Sequence, residues 1–135
     1  MRVLLGKNPA GLNQVLRTVA ARGSEKHLLF FLNDGLADGR DISWIWDADY
    51  ELVQPGAAFA LAAGTRAEDL ALRLKYAGFG DDVPIERETP AALDRALAAT
   101  PVGGTLYVMP TYTAMLEVRE LLAKRGGGKR FWEDA

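Results

Sequence analysis

His27-Leu28-Leu29-Phe30-Phe31-Leu32-Asn33-Asp34-Gly35-Leu36-Ala37-Asp38-Gly39-Arg40-Asp41 is the stretch on which the fold turns. Its first six residues form an uninterrupted apolar run, too short to span a bilayer, which predicts a strand buried on both faces. Polar residues follow at once: one asparagine, three aspartates and one arginine among two glycines. A turn needs one or two such residues, so the rest are surplus to folding. In an α/β sheet, the carboxyl end of a buried strand is where ligands bind.

Outward from this stretch, apolar strands and amphipathic helices alternate along the chain. Arg2-Val3-Leu4-Leu5 reads as a short strand, followed by a helix with Asn8 as cap and Pro9 in its first turn. Leu12, Val15, Leu16 and Val19 define its inner face, and Gly23 ends it. Trp44 to Tyr50 predicts a short helix or turn, and 58–63 a third strand. Thr65 and Glu68 have the spacing of a capping box. Ala67, Leu70, Ala71, Leu74 and Ala77 then face inward, with Asp69 and Arg73 placed to pair outside and Gly78 and Gly80 closing the helix. Val83-Pro84-Ile85 reads as a weak strand. Thr89-Pro90 opens a helix with Leu93, Ala96 and Leu97 inward, and 105–109 is a further strand. A last helix, capped by Thr111, turns Ala114, Val118, Leu121 and Leu122 inward and stops at Gly126-Gly127-Gly128; a tail with Phe131 and Trp132 follows. The expected architecture is a single Rossmann-like α/β domain over residues 1–135, a mostly parallel sheet with helices on both faces.

Composition narrows the function. With 135 residues the chain can bury one core. A formal net charge of −2 makes no case for nucleic acid, which calls for a basic stripe. The absence of cysteine excludes disulfides, thiolate zinc sites and cysteine nucleophiles, and fits the cytosol. No signal peptide or transmembrane run is present. His27, the only histidine, reads as a strand-end residue rather than a base, and no Ser/His/Asp set exists.

Four polar junctions follow strands and share one edge of the expected sheet. In the acidic loop, Asp34, Asp38 and Asp41 suit Mg²⁺, a ribose or an amine, and Arg40 a phosphate; the plain alternative is an Asx-rich turn. Three crowded carboxylates repel one another unless a cation compensates, which favours a functional role. At Lys7-Asn8-Pro9-Ala10-Gly11 a helix N-terminus beside a lysine suits an anion, although capping suffices to explain Asn8 and the glycine spacing is not that of a Walker A loop. Arg66, at the third junction, can reach a carboxylate or phosphate; Glu68 and Asp69 there suit a solvated first turn. At the fourth, Pro110-Thr111-Tyr112-Thr113, hydroxyls can line a site or cap the helix. Trp44, Trp46 and Trp132 are core or docking residues, and a partner surface if exposed together.

Taken in order, Lys7 to Thr18, Asn33-Asp34 with Ala37 to Asp47, Arg66 to Gly78 and Leu106 to Leu116 resemble the C-terminal domain of MurT, the Mur-ligase-like subunit of lipid II isoglutaminyl synthase. The long motif Asp38-Gly39-Arg40-Asp41-Ile42-Ser43-Trp44-Ile45-Trp46-Asp47 is specific, and the likeness covers nearly the whole chain. The resemblance implies a domain that closes over a central ATP-binding domain and works with a GatD-type glutaminase. ATP and Mg²⁺ would then activate the α-carboxylate of D-glutamate in lipid II, and ammonia would yield D-isoglutamine at the inner face of the membrane. It assigns Asp38 or Asp41 to complete the site, with Asn33, Asp34 and Arg40 in support; the residues themselves add Lys7, Asn8 and Arg66 as candidate substrate or nucleotide contacts and Trp44 and Trp46 as candidate partner contacts. The resemblance further implies that the central domain is missing from this chain, which alone should be inactive. A free-standing nucleotide- or anion-binding module, or an interaction domain, remains the rival.

Overall fold

The protein is described by a computed structural model covering residues 2–4, 9–22 and 25–125. Among the described residues five strands, β1 (Arg2–Val3), β2 (Lys26–Phe31), β3 (Ala57–Ala63), β4 (Ile85–Glu86) and β5 (Leu106–Met109), pair in the order β1-β5-β2-β3-β4. Every pairing is parallel. Four helices, α1 (Pro9–Ala20), α2 (Ala67–Leu74), α3 (Thr89–Ala99) and α4 (Tyr112–Lys124), connect and cover the strands. The Rossmann-like α/β expectation therefore holds.

The run that decided the reading forms the central strand, shifted by one residue: β2 takes in Lys26 and ends before Leu32. β2 lies between β5 and β3, and every one of its residues is buried. Successive side chains alternate between two cores, as the two-residue strand period requires. Leu28, Phe30 and Leu32 join Leu12, Leu16 and Val19 of α1 and Leu70 and Leu74 of α2. Leu29 and Phe31 join Leu93 and Ala96 of α3 and Val118 and Leu122 of α4 on the other face. Fully burying one such side chain is worth roughly 1.5–3 kcal/mol. Five of them in and just after one strand together match the net stability of a typical domain, and the two polar residues of β2, Lys26 and His27, stand at its start.

Between β2 and β3 the chain forms two 3₁₀ turns, Ser43–Asp47 and Tyr50–Val53. Phe30 meets the Tyr50 ring edge-on at 5.4 Å and the Phe79 ring at 6.1 Å, fixing these turns and the end of α2 to the sheet. Past Leu74 the helix loosens into one wide turn, Lys75–Phe79, and stops at Gly78 and Gly80, as expected.

Several local expectations fail, and those for Arg73 and for the capping box yield to distant partners. Arg73 does not pair outside with Asp69; it is 4% exposed and turns into the core side. Its Nε donates to Ile45 O (2.8 Å) and its Nη2 to Ala48 O (2.6 Å) and Glu51 (2.9 Å). Leu97 is exposed, and Ala92 takes the inward place on α3. The capping box does not form, because Thr65 binds Asp34 and Glu68 pairs with Arg87. Thr89 is the first residue of α3 rather than its cap, and the buried Thr111 hydroxyl has no partner. Asn8, Gly23, the Gly126–Gly128 stop and the tail lie outside the described residues.

Candidate functional site

β5 and β2 are neighbours, yet the chain leaves them toward opposite faces: after β2 toward the α1 and α2 side, after β5 into α4 on the other. Connections that part in this way leave a crevice at the carboxyl ends of the strands. Asn33 sits at this point, 8% exposed. Its Oδ1 accepts the Thr65 backbone N–H at 2.9 Å, and its Nδ2 donates to Thr113 Oγ1 at 2.9 Å. One carboxamide thus ties the loops after β2, β3 and β5. Gly64 makes this possible: with φ +103° and a virtual Cβ only 2.6 Å from Asn33 Oδ1 and 2.5 Å from Leu32 O, no side chain fits there.

Asp38 closes the crevice from above. Its Oδ1 accepts the Thr113 backbone N–H at 2.8 Å and its Oδ2 the Thr113 hydroxyl at 2.5 Å. A carboxylate 75 positions away therefore caps the second residue of α4. Negative charge at a helix N-terminus is stabilised by the free N–H groups and the helix dipole.

Asp34 takes a different partner. Arg66 Nη1 reaches Asp34 Oδ2 at 3.1 Å and Arg66 Nε reaches Asp69 Oδ2 at 2.8 Å. The Arg66 bond, helped by the Thr65 hydroxyl, holds the Asp34 carboxyl below the usual aspartate range against some desolvation. Asp41 is occupied locally: its Oδ1 accepts the Ser43 backbone N–H at 2.9 Å, and this bond foremost lowers its pKa. The three aspartates of the loop thus diverge to an arginine, a helix end and a turn.

Arg40, Asp41, Trp46, Arg66, Asp69 and Leu72 line a groove of about 410 Å³ between the acidic loop and α2. Asp41, Arg40 and Arg66 line it together, whereas Asp38 and Asn33 do not. Trp46 is 48% exposed and meets Tyr76 in a tilted ring contact at 5.8 Å, with the Arg73 guanidinium 5.4 Å from its ring. Trp44 instead packs, partly buried, against the core with α1 and α2, so the two tryptophans do not form one exposed pair. Lys7, Asn8 and Trp132 lie outside the described residues.

Among the described residues no group of three or more His, Asp or Glu could hold a metal ion. No helix among the described residues is long and apolar enough to cross a membrane.

Reading the sequence missed Thr113 as a carboxylate partner, Asp69 as a partner of Arg66, and Arg73 as a buried tie. The last was discoverable, since 70, 73, 74 and 77 share the helical spacing of the buried face.

Residues 5–115 match the MurT ligase C-terminal family. Over 119 residues the chain is 39% identical to the subunit MurT of lipid II isoglutaminyl synthase (glutamine-hydrolyzing) from Staphylococcus aureus strains COL and N315, covering 87% of this chain and 26% of that protein. It is 37% identical over 127 residues to the subunit of the same name from Streptococcus pneumoniae strain ATCC BAA-255 / R6, covering 91% of this chain and 28% of that one. The chain spans about a quarter of the length of these curated relatives. With the family matching most of its length and the strand-edge motifs in place, the chain belongs to the MurT ligase C-terminal family.

Proposed function

We propose that this domain contributes a carboxylate and a docking face to an ATP-dependent ligase that, with a GatD-type glutaminase, amidates the α-carboxylate of D-glutamate in lipid II to D-isoglutamine. The observation that carries the reading is Asp38, held at the carboxyl edge of the sheet by a residue 75 positions away. The relatives' names, which specify a glutamine-hydrolysing lipid II isoglutaminyl synthase, support the substrate class.

ATP and Mg²⁺ belong in this reading to a central ATP-binding domain outside this chain, where ATP supplies the phosphoryl group that activates the carboxyl. The part of this chain is positional. Thr113 occupies one lone pair on each Asp38 oxygen, leaving the others to accept N–H bonds from an incoming amine. Orienting the nucleophile against an activated acyl group lowers the entropic part of the barrier. Asp41, Arg40 and Arg66, lining the groove alongside, suit the polar part of the stem peptide. Trp46 and Tyr76 form the aromatic surface offered to the glutaminase.

The test is Asp38→Asn and Asp41→Asn, each in the complete two-subunit ligase, assayed with glutamine and with free ammonia. Loss of amidation with both nitrogen sources in folded Asp38→Asn is the expected result. Wild-type turnover in that variant, or loss with glutamine alone, overturns the assignment of Asp38 to the acyl-transfer site.

A further inference from the structure

We infer that Thr113 is the positioning residue for Asp38, and that Asn33 dictates which way the Thr113 hydroxyl proton points. The inference rests on the catalytic reading of Asp38 given above.

The direction of each bond is forced. A backbone N–H only donates, so the Thr65 N–H at 2.9 Å fixes the Asn33 oxygen on that side. The Asn33 nitrogen must then face Thr113, and because it only donates, Thr113 Oγ1 must accept, again at 2.9 Å. A hydroxyl has one proton to give, and Asp38 Oδ2 stands 2.5 Å away to take it. With the Thr113 N–H at 2.8 Å on the other oxygen, both ends of the carboxylate are fixed by one residue and its plane cannot swing.

A helix cap alone needs none of this. One carboxylate oxygen satisfies one N–H, and Thr111 stands at the cap position with a buried hydroxyl that has no partner. The molecule leaves that local cap unused and brings the second oxygen of Asp38 and the buried Asn33 carboxamide, both from the loop after β2, onto the Thr113 hydroxyl of α4. Such an arrangement fixes orientation as well as helix stability. Asn33 is too buried to be an open substrate contact, so its part in the reaction is exerted through Asp38.

The test is Thr113→Val beside Thr113→Ser in the complete two-subunit ligase. Valine keeps the shape and the backbone N–H and deletes the hydroxyl. A misplaced reacting group can cost as much as a hundredfold in rate, so kcat should fall at least about tenfold in Thr113→Val while KM for ATP and lipid II stays within about twofold. Thr113→Ser, which restores the hydroxyl, should recover kcat. Should Thr113→Val fail to fold, Asn33→Asp takes its place: it still accepts the Thr65 N–H but draws the Thr113 proton away from Asp38, and should give the same kcat loss. Wild-type kcat in the hydroxyl-deleted variant beside a dead Asp38→Asn overturns the inference and leaves the function standing. A change confined to KM, or no recovery with serine, also overturns it. Wild-type turnover in Asp38→Asn overturns the functional reading itself, and this inference with it.

Discussion

Replacing Arg73 by methionine tests whether a buried arginine holds the 3₁₀ segment onto α2. The side chain is 4% exposed and lies between the Trp46 and Tyr50 rings, 5.4 and 5.3 Å from their centroids. It donates to Ile45 O at 2.8 Å, Ala48 O at 2.6 Å and Glu51 Oε1 at 2.9 Å. Each bond from a charged donor to a buried carbonyl is worth about 1.5–3 kcal/mol net. Glu51 is 54% exposed, and an ion pair with such a partner adds only about 0–1 kcal/mol. The ring contacts add about 1–2 kcal/mol, and methionine recovers part of the loss by avoiding desolvation of the guanidinium. The net expectation is a loss of about 3 kcal/mol, a large share of a typical domain's 5–15. Urea unfolding of wild type, Arg73→Met and Glu51→Gln, read as a shift in midpoint at constant slope, measures it. Because the carbonyls and not the carboxylate carry the energy, Glu51→Gln should cost under about 1 kcal/mol. A loss below about 1 kcal/mol in Arg73→Met, or equal losses in the two variants, refutes the reasoning.

Further outcomes follow from other contacts. The Arg73 bond holds the Glu51 pKa below its unfolded value, so its contribution to stability is present above that value and lost as pH falls through the folded one. Asp34 and Glu68 act with the same sign, so stability should decline from about pH 5 toward about 3, and Glu51→Gln should flatten part of that slope in pH-resolved unfolding. In Gly64→Ala the new methyl meets Leu32 O at 2.5 Å at a φ of +103°. With backbone rather than a flexible chain in the way, the loss should be about 3 kcal/mol by urea unfolding, and a neutral substitution would contradict the close approach. Trp46→Ala should weaken glutaminase binding by about tenfold with little change in stability, whereas Trp44→Ala should do the reverse, as titration calorimetry and thermal melting would show. The isolated chain should not turn over ATP; clear phosphate release would contradict its assignment as one domain of a larger ligase.

What was legible in the sequence is what depends on short-range spacing. The run 27–32 reads as a doubly buried strand because strands covered on both faces of a parallel sheet are near-continuous apolar runs. The alternation of periods gave away the helices for the same reason. The failures lie where a side chain chooses between a near partner and a far one. Thr65 and Glu68 have capping-box spacing, yet Asp34 and Arg87 bind them from 31 and 19 residues away. Asp69 and Arg73 have ion-pair spacing, yet Arg73 falls on the stripe of Leu70 and Leu74, and burial prevails over pairing. A local rule worth about 0.2–0.5 kcal/mol yields to tertiary bonds several times larger.

The acidic loop shows the same competition in a way that bears on function. Three carboxylates in eight residues led to the expectation of a compensating cation from outside. The chain answers most of that demand itself. Arg66 neutralises Asp34, the Ser43 turn accounts for one oxygen of Asp41, and the N-terminus of α4 takes Asp38. The meaning of the crowded charge therefore rests on geometry. Asp41 is explained by its own turn and Asp34 by its arginine, each within reach of a plain folding role. Asp38 is not, because a helix end with its own threonine in place did not need a carboxylate from across the sheet. An ionised group held at both oxygens, at the point where the connections of two neighbouring strands part, is the feature that folding alone leaves unexplained.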